Sequence, residues 1–510
     1  MDLLTHVENK LIDFDDLNSL LEDRLSLKIV QCHGVFDLLH IGHIKHFQSA
    51  KKKGDVLIVT ITPDRFVNKG PGRPFFSEKL RAEAIAALEC VDYVIINHWP
   101  TAVEAIQFIK PTFYVKGDEY QDTQNDMTGK IDDETKAVCA VGGEIIFTSE
   151  PTFSSSTLLN QFFSSFSPVV QNYLSEFKKR YQFRDIAQYF ERAMTLKVLL
   201  IGETIIDDYR FTSVIGKAGK EPTLVAKFKY RELYAGGILA IANHLSDFCA
   251  EVNCITYLGE EREYENIIKN SLKYNVKLIP LYKKNSPTIV KRRYLDEYLR
   301  QKLFEEYEIN DDLMEGEQHI ELLEKLKNQL KHHDLAIVAD YGHGLLNQDA
   351  IDSLVDNAPY LAVNTQANAG NHGFHCIAKY RKADYVSLAS RELQLNYRQK
   401  HLSVSQQLER LMNEHDYSCV MITSGKEGAH INRREEVGVV APAFSTQVVD
   451  RVGAGDAVLA LSTLFAYQNA PLDLIGFIGN IAGAEAVNTM GNKSAITKVS
   501  FLKHISHLMK

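Results

Sequence analysis

Short apolar runs, several closed by glycine, alternate with segments of helical period from residue 28 onward, and the alternation stops only once, near residues 166–194, before it restarts. The runs are "LKIVQCHGVFD", "GDVLIVTIT", "VDYVIINH", "PTFYVKGDEY" and "GGEIIFTSE", then "LKVLLIGETIIDDY", "DLAIVADYGHG", "YLAVNT", "ADYVSLAS" and "SCVMITSG". A strand that is apolar throughout is buried on both faces, and parallel neighbours need a crossover helix. The pattern therefore predicts parallel sheets covered by helices on either side. The interruption predicts two such units, and 510 residues exceed what one ordinary core holds.

The expected divisions are a helical segment over 1–27, an α/β domain over 28–165, a helical connector over 166–194 and a second α/β domain over 195–510. The connector, "SPVVQNYLSEFKKRYQFRDIAQYFERAM", is aromatic-rich and helical in period, so it is expected to pack on one or both domains. The first unit closes with "FSSSTLLNQFF", read as a helix opened by hydroxyl residues. Within the second, 222–235 alternates like extra strands outside the main sheet, a small β lid. A net charge of −9 argues against nucleic acid as the main partner, and small anionic substrates remain compatible with local basic sites. The opening residues are acidic and carry no signal-peptide core, and no run reaches about 18 apolar residues. Seven cysteines without a C-x-x-C pair suggest neither a disulfide framework nor a zinc ribbon, so a cytoplasmic protein with no membrane partner is expected.

Two stretches carry chemistry. In "GVFDLLHIGH", the first strand ends at a glycine and His40 and His43 follow at i and i+3, one face of a helix N-terminus. Gly42 leaves room between them and Lys45 adds charge one turn on. Ordinary structural histidines are one alternative. A metal site is another, although the spacing lacks an obvious third ligand. "GVFDLLHIGHIKHF" resembles the signature of nucleotidyltransferases related to the cytidylyltransferases, supported in order by "GRPFFSEKLRAEAI" with Arg73 and Arg81, "VKGDEY" and "FSSST". The resemblance implies a Rossmann-like nucleotidyltransferase domain. His40, His43 and Lys45 would stabilise the phosphoryl charge, and Gly34, Val35, Phe36, Asp37, Arg81, Lys116, Gly117, Ser155, Ser156 and Thr157 would bind the nucleotide. ATP or CTP is the implied donor; the absence of an arginine just before the terminal serines inclines the reading to ATP.

In "DRVGAGDAVLALSTLF", Gly453, Ala454 and Gly455 put unobstructed amides before an apolar helical run, with Asp456 beside them. A plain helix cap by Asp456 is the alternative. The segment resembles the signature of ribokinase-like (PfkB) sugar kinases, together with "AGGILAIANHL", "GETIIDDY", "ADYGHG" and "TSGKEGA". The resemblance implies a ribokinase-like doubly wound domain in which Asp456 is the base and the amides of 453–455 hold the transferring phosphate. Asp207, Gly236, Gly237 and Asp340 would contact the sugar, and Thr423, Gly425, Gly428 and Asn480 the nucleotide. Glu392 would serve Mg2+, and Asp450 would lie near a monovalent cation. Two positions depart from the family pattern: Ala240 and Ala389 stand where it has asparagine.

The pair resembles the bifunctional heptose-phosphate kinase and adenylyltransferase enzymes of lipopolysaccharide synthesis with the domain order reversed. It implies a kinase acting on a sugar or sugar phosphate, a nucleotidyltransferase acting on a sugar phosphate, and a homodimer. Two alternatives stand beside it: an active nucleotidyltransferase with a structural kinase domain, and a nucleotide- or sugar-binding regulator without turnover.

Overall fold

The computed structural model describes residues 7–20, 27–67, 73–117, 130–148, 166–399, 401–445 and 448–509. They fall into two compact units, residues 1–167 with 502–510, and residues 168–501.

The first unit holds strands β1 (Ile29–Gly34), β2 (Val56–Ile61), β3 (Tyr93–Ile96), β4 (Phe113–Gly117) and β5 (Glu144–Thr148) in the order β3-β2-β1-β4-β5. All four pairings are parallel. Alternate residues face opposite sides, so both faces are apolar. Val30, Cys32, Leu57 and Val59 share a core with Phe47, Ala82 and Ile85 of the helices Ile41–Lys51 and Glu78–Ala86. Ile29, Ile58 and Ile95 pack on Phe14, Leu17, Ala105 and Ile109 on the other face. Strand order reverses at β1, and the crevice beyond its carboxyl end is where such sheets take ligands. In the described part of the expected N-terminal segment a helix covers Phe14–Leu20, and ahead of it Leu11 bridges in parallel to Val94 at the edge of β3.

The second unit is the expected α/β domain with a lid. Its main sheet takes the order β10-β9-β6-β13-β14-β15-β16-β17-β18. The members are β6 (Lys197–Gly202), β9 (Glu251–Gly259), β10 (Val276–Lys283), β13 (Leu335–Asp340), β14 (Leu361–Thr365), β15 (Lys382–Ala389), β16 (Asp416–Thr423), β17 (Ala429–Arg433) and β18 (Val439–Ala441). The first seven in that order run parallel and the last two add antiparallel edges. A separate sheet, β12-β11-β7-β8, is built from β7 (Thr204–Lys217), β8 (Leu224–Gly237), β11 (Ile289–Asp296) and β12 (Lys302–Glu308). The segment anticipated as extra strands is β8. "GETIIDDY", however, is not the end of the first strand: the chain leaves the main sheet after Gly202 and becomes β7. The helices Pro168–Arg180 and Phe183–Ala193 belong to this unit. Phe177 stacks on Phe477 at 4.2 Å and Phe190 meets Phe465 edge-on at 4.9 Å.

Candidate active sites

In the first unit, β1 ends at Gly34 and the loop 35–40 leads into the helix Ile41–Lys51. His40 caps that helix, its Nδ1 accepting the Gly42 N–H at 3.1 Å, and its Nε2 is buried without a hydrogen bond. The rings of His40 and His43 stack with centroids 3.8 Å apart, and Phe36 meets His43 edge-on at 5.2 Å. Burial lowers the His40 pKa below the ordinary histidine value. A neutral ring with an uncommitted nitrogen at a helix N-terminus is suited to a phosphoryl oxygen. Phe36 takes the left-handed conformation at φ 51°, which turns the loop sharply enough to bring its ring over the glycine at 34. Lys45 is exposed on the same helix.

Three residues expected to touch nucleotide take part in holding the loop. Arg81, only 2% exposed, donates to the carbonyls of Phe76 (3.0 Å), Thr62 (2.9 Å) and Val35, and to Asp64 at 2.6 Å. Its Nε and both terminal nitrogens all reach this loop framework, so in this structure the guanidinium braces the loop. Val35 takes part through the carbonyl that Arg81 holds. Buried Asp37 accepts the N–H groups of Phe75 (2.7 Å) and Phe76 (3.0 Å) and pairs with Arg73 at 3.2 Å, so it too anchors the loop. Lys116, at the carboxyl end of β4 before Gly117, forms a buried pair with Glu134 at 2.8 Å. Ser155, Ser156 and Thr157 lie outside the described residues. Among the described residues no group of three or more His, Cys, Asp or Glu is placed to hold a metal ion, the histidine cluster included.

In the second unit, the helix Ala454–Tyr467 begins at Gly453, whose φ of 81° favours glycine, and a Cβ there would collide with the Asn492 carboxamide. Open space faces the Cα of Gly455, a cradle that a side chain would fill. Asp456, in the first turn, is buried and accepts the Tyr341 hydroxyl at 2.8 Å. Burial pushes its pKa up to about 6; the Tyr341 hydrogen bond opposes the rise, the charge of Asp207 adds to it, and that of Lys291 opposes it. Such a carboxylate is poised as a base near neutrality.

Asp207 of β7 and Lys291 of β11 are register partners on neighbouring strands, and strand alternation puts Tyr209 and Arg293 on the same face. Asp207 is bound by the Arg293 guanidinium and accepts from Asn492 at 3.0 Å. Gly236 lies so close to this carboxylate that a Cβ would overlap it, and Gly237 starts the following helix. Lys291 is 6% exposed and its ammonium lies over the Tyr307 ring, 5.1 Å from the centroid; burial lowers its pKa and the charges of Asp207 and Glu203 oppose that. Asp340 is fully engaged with Lys379 (2.6 Å), Tyr380 (2.7 Å), the Gly342 N–H (3.1 Å) and His375. It supports the loop carrying Tyr341, as does buried Glu203, whose carboxylate accepts the N–H groups of Tyr341 and His343 at 3.0 Å each. Tyr341, Lys291, Arg293, Asn492 and Glu203 were not singled out from the sequence. The "ADY" after a strand and the alternation in "VKRRYLD" were the available signals.

Of the residues expected to meet the nucleotide, Thr423 ends β16, donating to the Leu388 carbonyl at 3.3 Å, and Gly425 opens a short turn. Gly428 packs against the backbone of residues 441–442, and Asn480 donates to the Ala441 carbonyl at 3.1 Å. Glu392 accepts the N–H groups of Ala389 (2.7 Å) and Ala367 (3.2 Å), and burial first and the Asp456 charge after it push its pKa up to about 7. One N–H on each oxygen leaves each a free lone pair, so the residue fits a hydrated Mg2+. Asp450 does not fit a cation. Oδ1 accepts from Lys302 (2.8 Å) and the N–H groups of Arg451 (2.7 Å) and Val452 (3.3 Å), and Oδ2 from Tyr209 (2.6 Å) and the Gly491 N–H (3.2 Å).

Residues 32–162 match the family described as cytidylyltransferase-like, and residues 195–498 match the pfkB family of carbohydrate kinases. The Bifunctional protein HldE of Helicobacter pylori (strain P12) is 47% identical over 106 residues, 20% of this chain and 23% of that protein. That of Syntrophotalea carbinolica is 40% identical over 111 residues, 21% of this chain and 22% of that protein. These matches lie in the N-terminal part, and the aligned region spans about a quarter of the relatives' length. The fold of phosphofructokinase-2 from Escherichia coli, solved in complex with potassium, covers 62% of this chain and all of that one, with a TM-score of 0.50 at 16% identity. With the larger part of its length matched, the chain belongs to the pfkB family of carbohydrate kinases, and it carries a cytidylyltransferase-like domain ahead of the kinase domain.

Proposed function

We propose that the protein is a bifunctional enzyme of activated-sugar synthesis, with an ATP-dependent sugar-phosphate kinase in the second unit and a nucleotidyltransferase in the first. The observation that carries the kinase reading is Asp456: a buried carboxylate poised near pH 6, in the first turn of a helix whose N-terminal amides open at Gly455, in electrostatic contact with Asp207 and Lys291. An acceptor hydroxyl held by Asp207 attacks the γ-phosphorus of ATP, its proton passes to Asp456 and the bond to ADP breaks. The amides of 453–455 stabilise the charge on the transferring group. Mg2+, held with Glu392, would neutralise charge on the ATP phosphates.

The buried ammonium of Lys291, over the Tyr307 ring and on the same sheet face as Asp207, adds positive charge beside the acceptor site and favours an acceptor that already bears a phosphate. In the first unit, a sugar-phosphate oxygen attacks the α-phosphorus of the nucleotide and pyrophosphate leaves. His40, His43 and Lys45 would stabilise the charge that builds on the phosphoryl oxygens. ATP is the preferred donor and CTP the alternative. Among the described residues no helix is long and apolar enough to cross a membrane, and a cytoplasmic enzyme acting on small molecules is the reading we adopt.

A homodimer through the lid completes the proposal. The outer half of the β7–β8 hairpin is exposed, with Ile215, Leu224 and Phe228 more than half accessible. A two-stranded hairpin without a covered face is marginal alone, which argues for a second copy against it.

The test is incubation with ATP or CTP and a panel of sugars and sugar phosphates, following ADP and pyrophosphate separately. Pyrophosphate lost in His43→Ala and ADP lost in Asp456→Asn would establish both activities. Pyrophosphate alone, unchanged in Asp456→Asn, would establish a nucleotidyltransferase with a structural kinase domain, the outcome that Ala240 and Ala389 keep open.

A further inference from the structure

We infer that the ammonium of Lys302 takes the place of a dissolved monovalent cation at Asp450, so that phosphoryl transfer in the second unit proceeds without potassium. The inference rests on the kinase reading for its functional half and on geometry for its structural half. A carboxylate offers about four lone-pair positions. Asp450 receives five donors, three on Oδ1 and two on Oδ2, and is itself 7% exposed. A metal ion would have to expel a donor, and Lys302 is the only donor of the five that is a cation.

The charge is placed where a cation would act. Asp450 lies three residues before Gly453, and the backbone amides of Arg451 and Val452 that grip Oδ1 begin the turn into the phosphate-binding helix. Oδ2 in turn holds the Gly491 N–H, next to the Asn492 that touches Asp207 and packs on Gly453. The Asp450 carboxylate is thus the knot between the phosphate turn and the sugar-gripping acid, and without a counter-charge it would oppose a phosphate beside it. Lys302 supplies that counter-charge from β12 of the lid sheet. A lysine head is a compact point charge that can serve as a covalently tethered equivalent of the free ion. Its side chain is one-third exposed, so it is accessible to exchange when shortened.

The experiment compares the full-length wild type, Lys302→Met and the double variant Lys302→Met/Asp450→Asn in potassium and in tetramethylammonium chloride at equal ionic strength. Thermal unfolding is followed in all three and phosphorylation of the best acceptor in the first two. The wild type should melt at the same temperature in both salts and change its rate by less than about twofold. Lys302→Met should melt lower in tetramethylammonium, regain stability as potassium is added, and recover about tenfold or more in rate. The double variant, with no carboxylate at 450, should not respond. A wild type stabilised or accelerated by potassium as strongly as Lys302→Met would overturn the inference, as would a Lys302→Met that ignores potassium. Phosphorylation absent from the wild type in every salt would reject the kinase reading, while the melting comparison would still decide what occupies Asp450.

Discussion

Asp456 and Tyr341 show how one hydrogen bond sets the working range of a base. The carboxylate is raised to about 6 chiefly by burial and is held down by the Tyr341 hydroxyl, with Asp207, Lys291 and Glu392 as the other charged or titratable groups in its field. A base acts when ionised, so kcat/KM for phosphorylation should rise with pH through about 6 and level off above it. Tyr341→Phe removes the opposing bond, so the midpoint should move upward while KM for ATP stays constant; an unmoved midpoint in the pH profile would show that the tyrosine has no hold on the base. Asp456→Asn should lower kcat by about 100- to 10,000-fold. The sequence made Asp456 legible because an acid after Gly-Ala-Gly at a helix start has few uses. Tyr341 was not, because a tyrosine after a strand is ordinarily core and its target lies 115 residues away.

At the scale of elements, helix N-termini and strand ends proved readable and the pieces that lean on them did not. The stretch from Gly34 to His43 announces a strand, a turn and a helix, and the structure stacks His40 on His43 there. His40→Ala or His43→Ala should therefore cut pyrophosphate release by about 100- to 1000-fold and leave ADP formation intact. Arg81 stands one turn into a helix in a family-like segment, yet it ties three carbonyls together, a role that only the folded loop reveals. Strands β11 and β12 escaped detection because the lid's charged residues break the apolar pattern that marks a buried strand. The helix Ile238–Ser246 carries a second pH-sensitive element. His244 is buried, its Nδ1 accepts the Ile496 N–H at 3.0 Å, and burial lowers its pKa to about 4. Between about 6.5 and about 4 the unfolded chain takes up a proton that the folded one refuses. Stability should therefore fall with pH across that window, by at most about 1.4 kcal/mol per pH unit from this group. His244→Asn keeps an acceptor for the N–H without titrating, so urea unfolding of the variant should show a shallower loss.

For the whole molecule, the question is what surrounds the lid. β7 and β8 are each 14 residues long, and their inner halves are anchored by Asp207, Tyr209 and Gly236, while their outer halves are in water. Beside them Arg210, Leu224, Phe228, Tyr294 and Phe304 line a concave surface of about 450 Å³. The inner half carries Asp207, the acid proposed to hold the acceptor, so whatever steadies the outer half would also steady the proposed acceptor site. A second copy covering this face would do both, and an isolated protomer would have a looser lid and a weaker hold on the acceptor. Phe228→Glu puts a charge at the centre of the apolar stretch, on a residue that is 55% exposed and therefore removable without damage to a core. Sedimentation should find the wild type as a dimer and the variant as a monomer. The variant's KM for the acceptor should rise while pyrophosphate release by the first unit is unchanged. A variant that remains dimeric would place the contact elsewhere, and a monomeric wild type with full kinase activity would mean that β11 and β12 alone keep the lid in place.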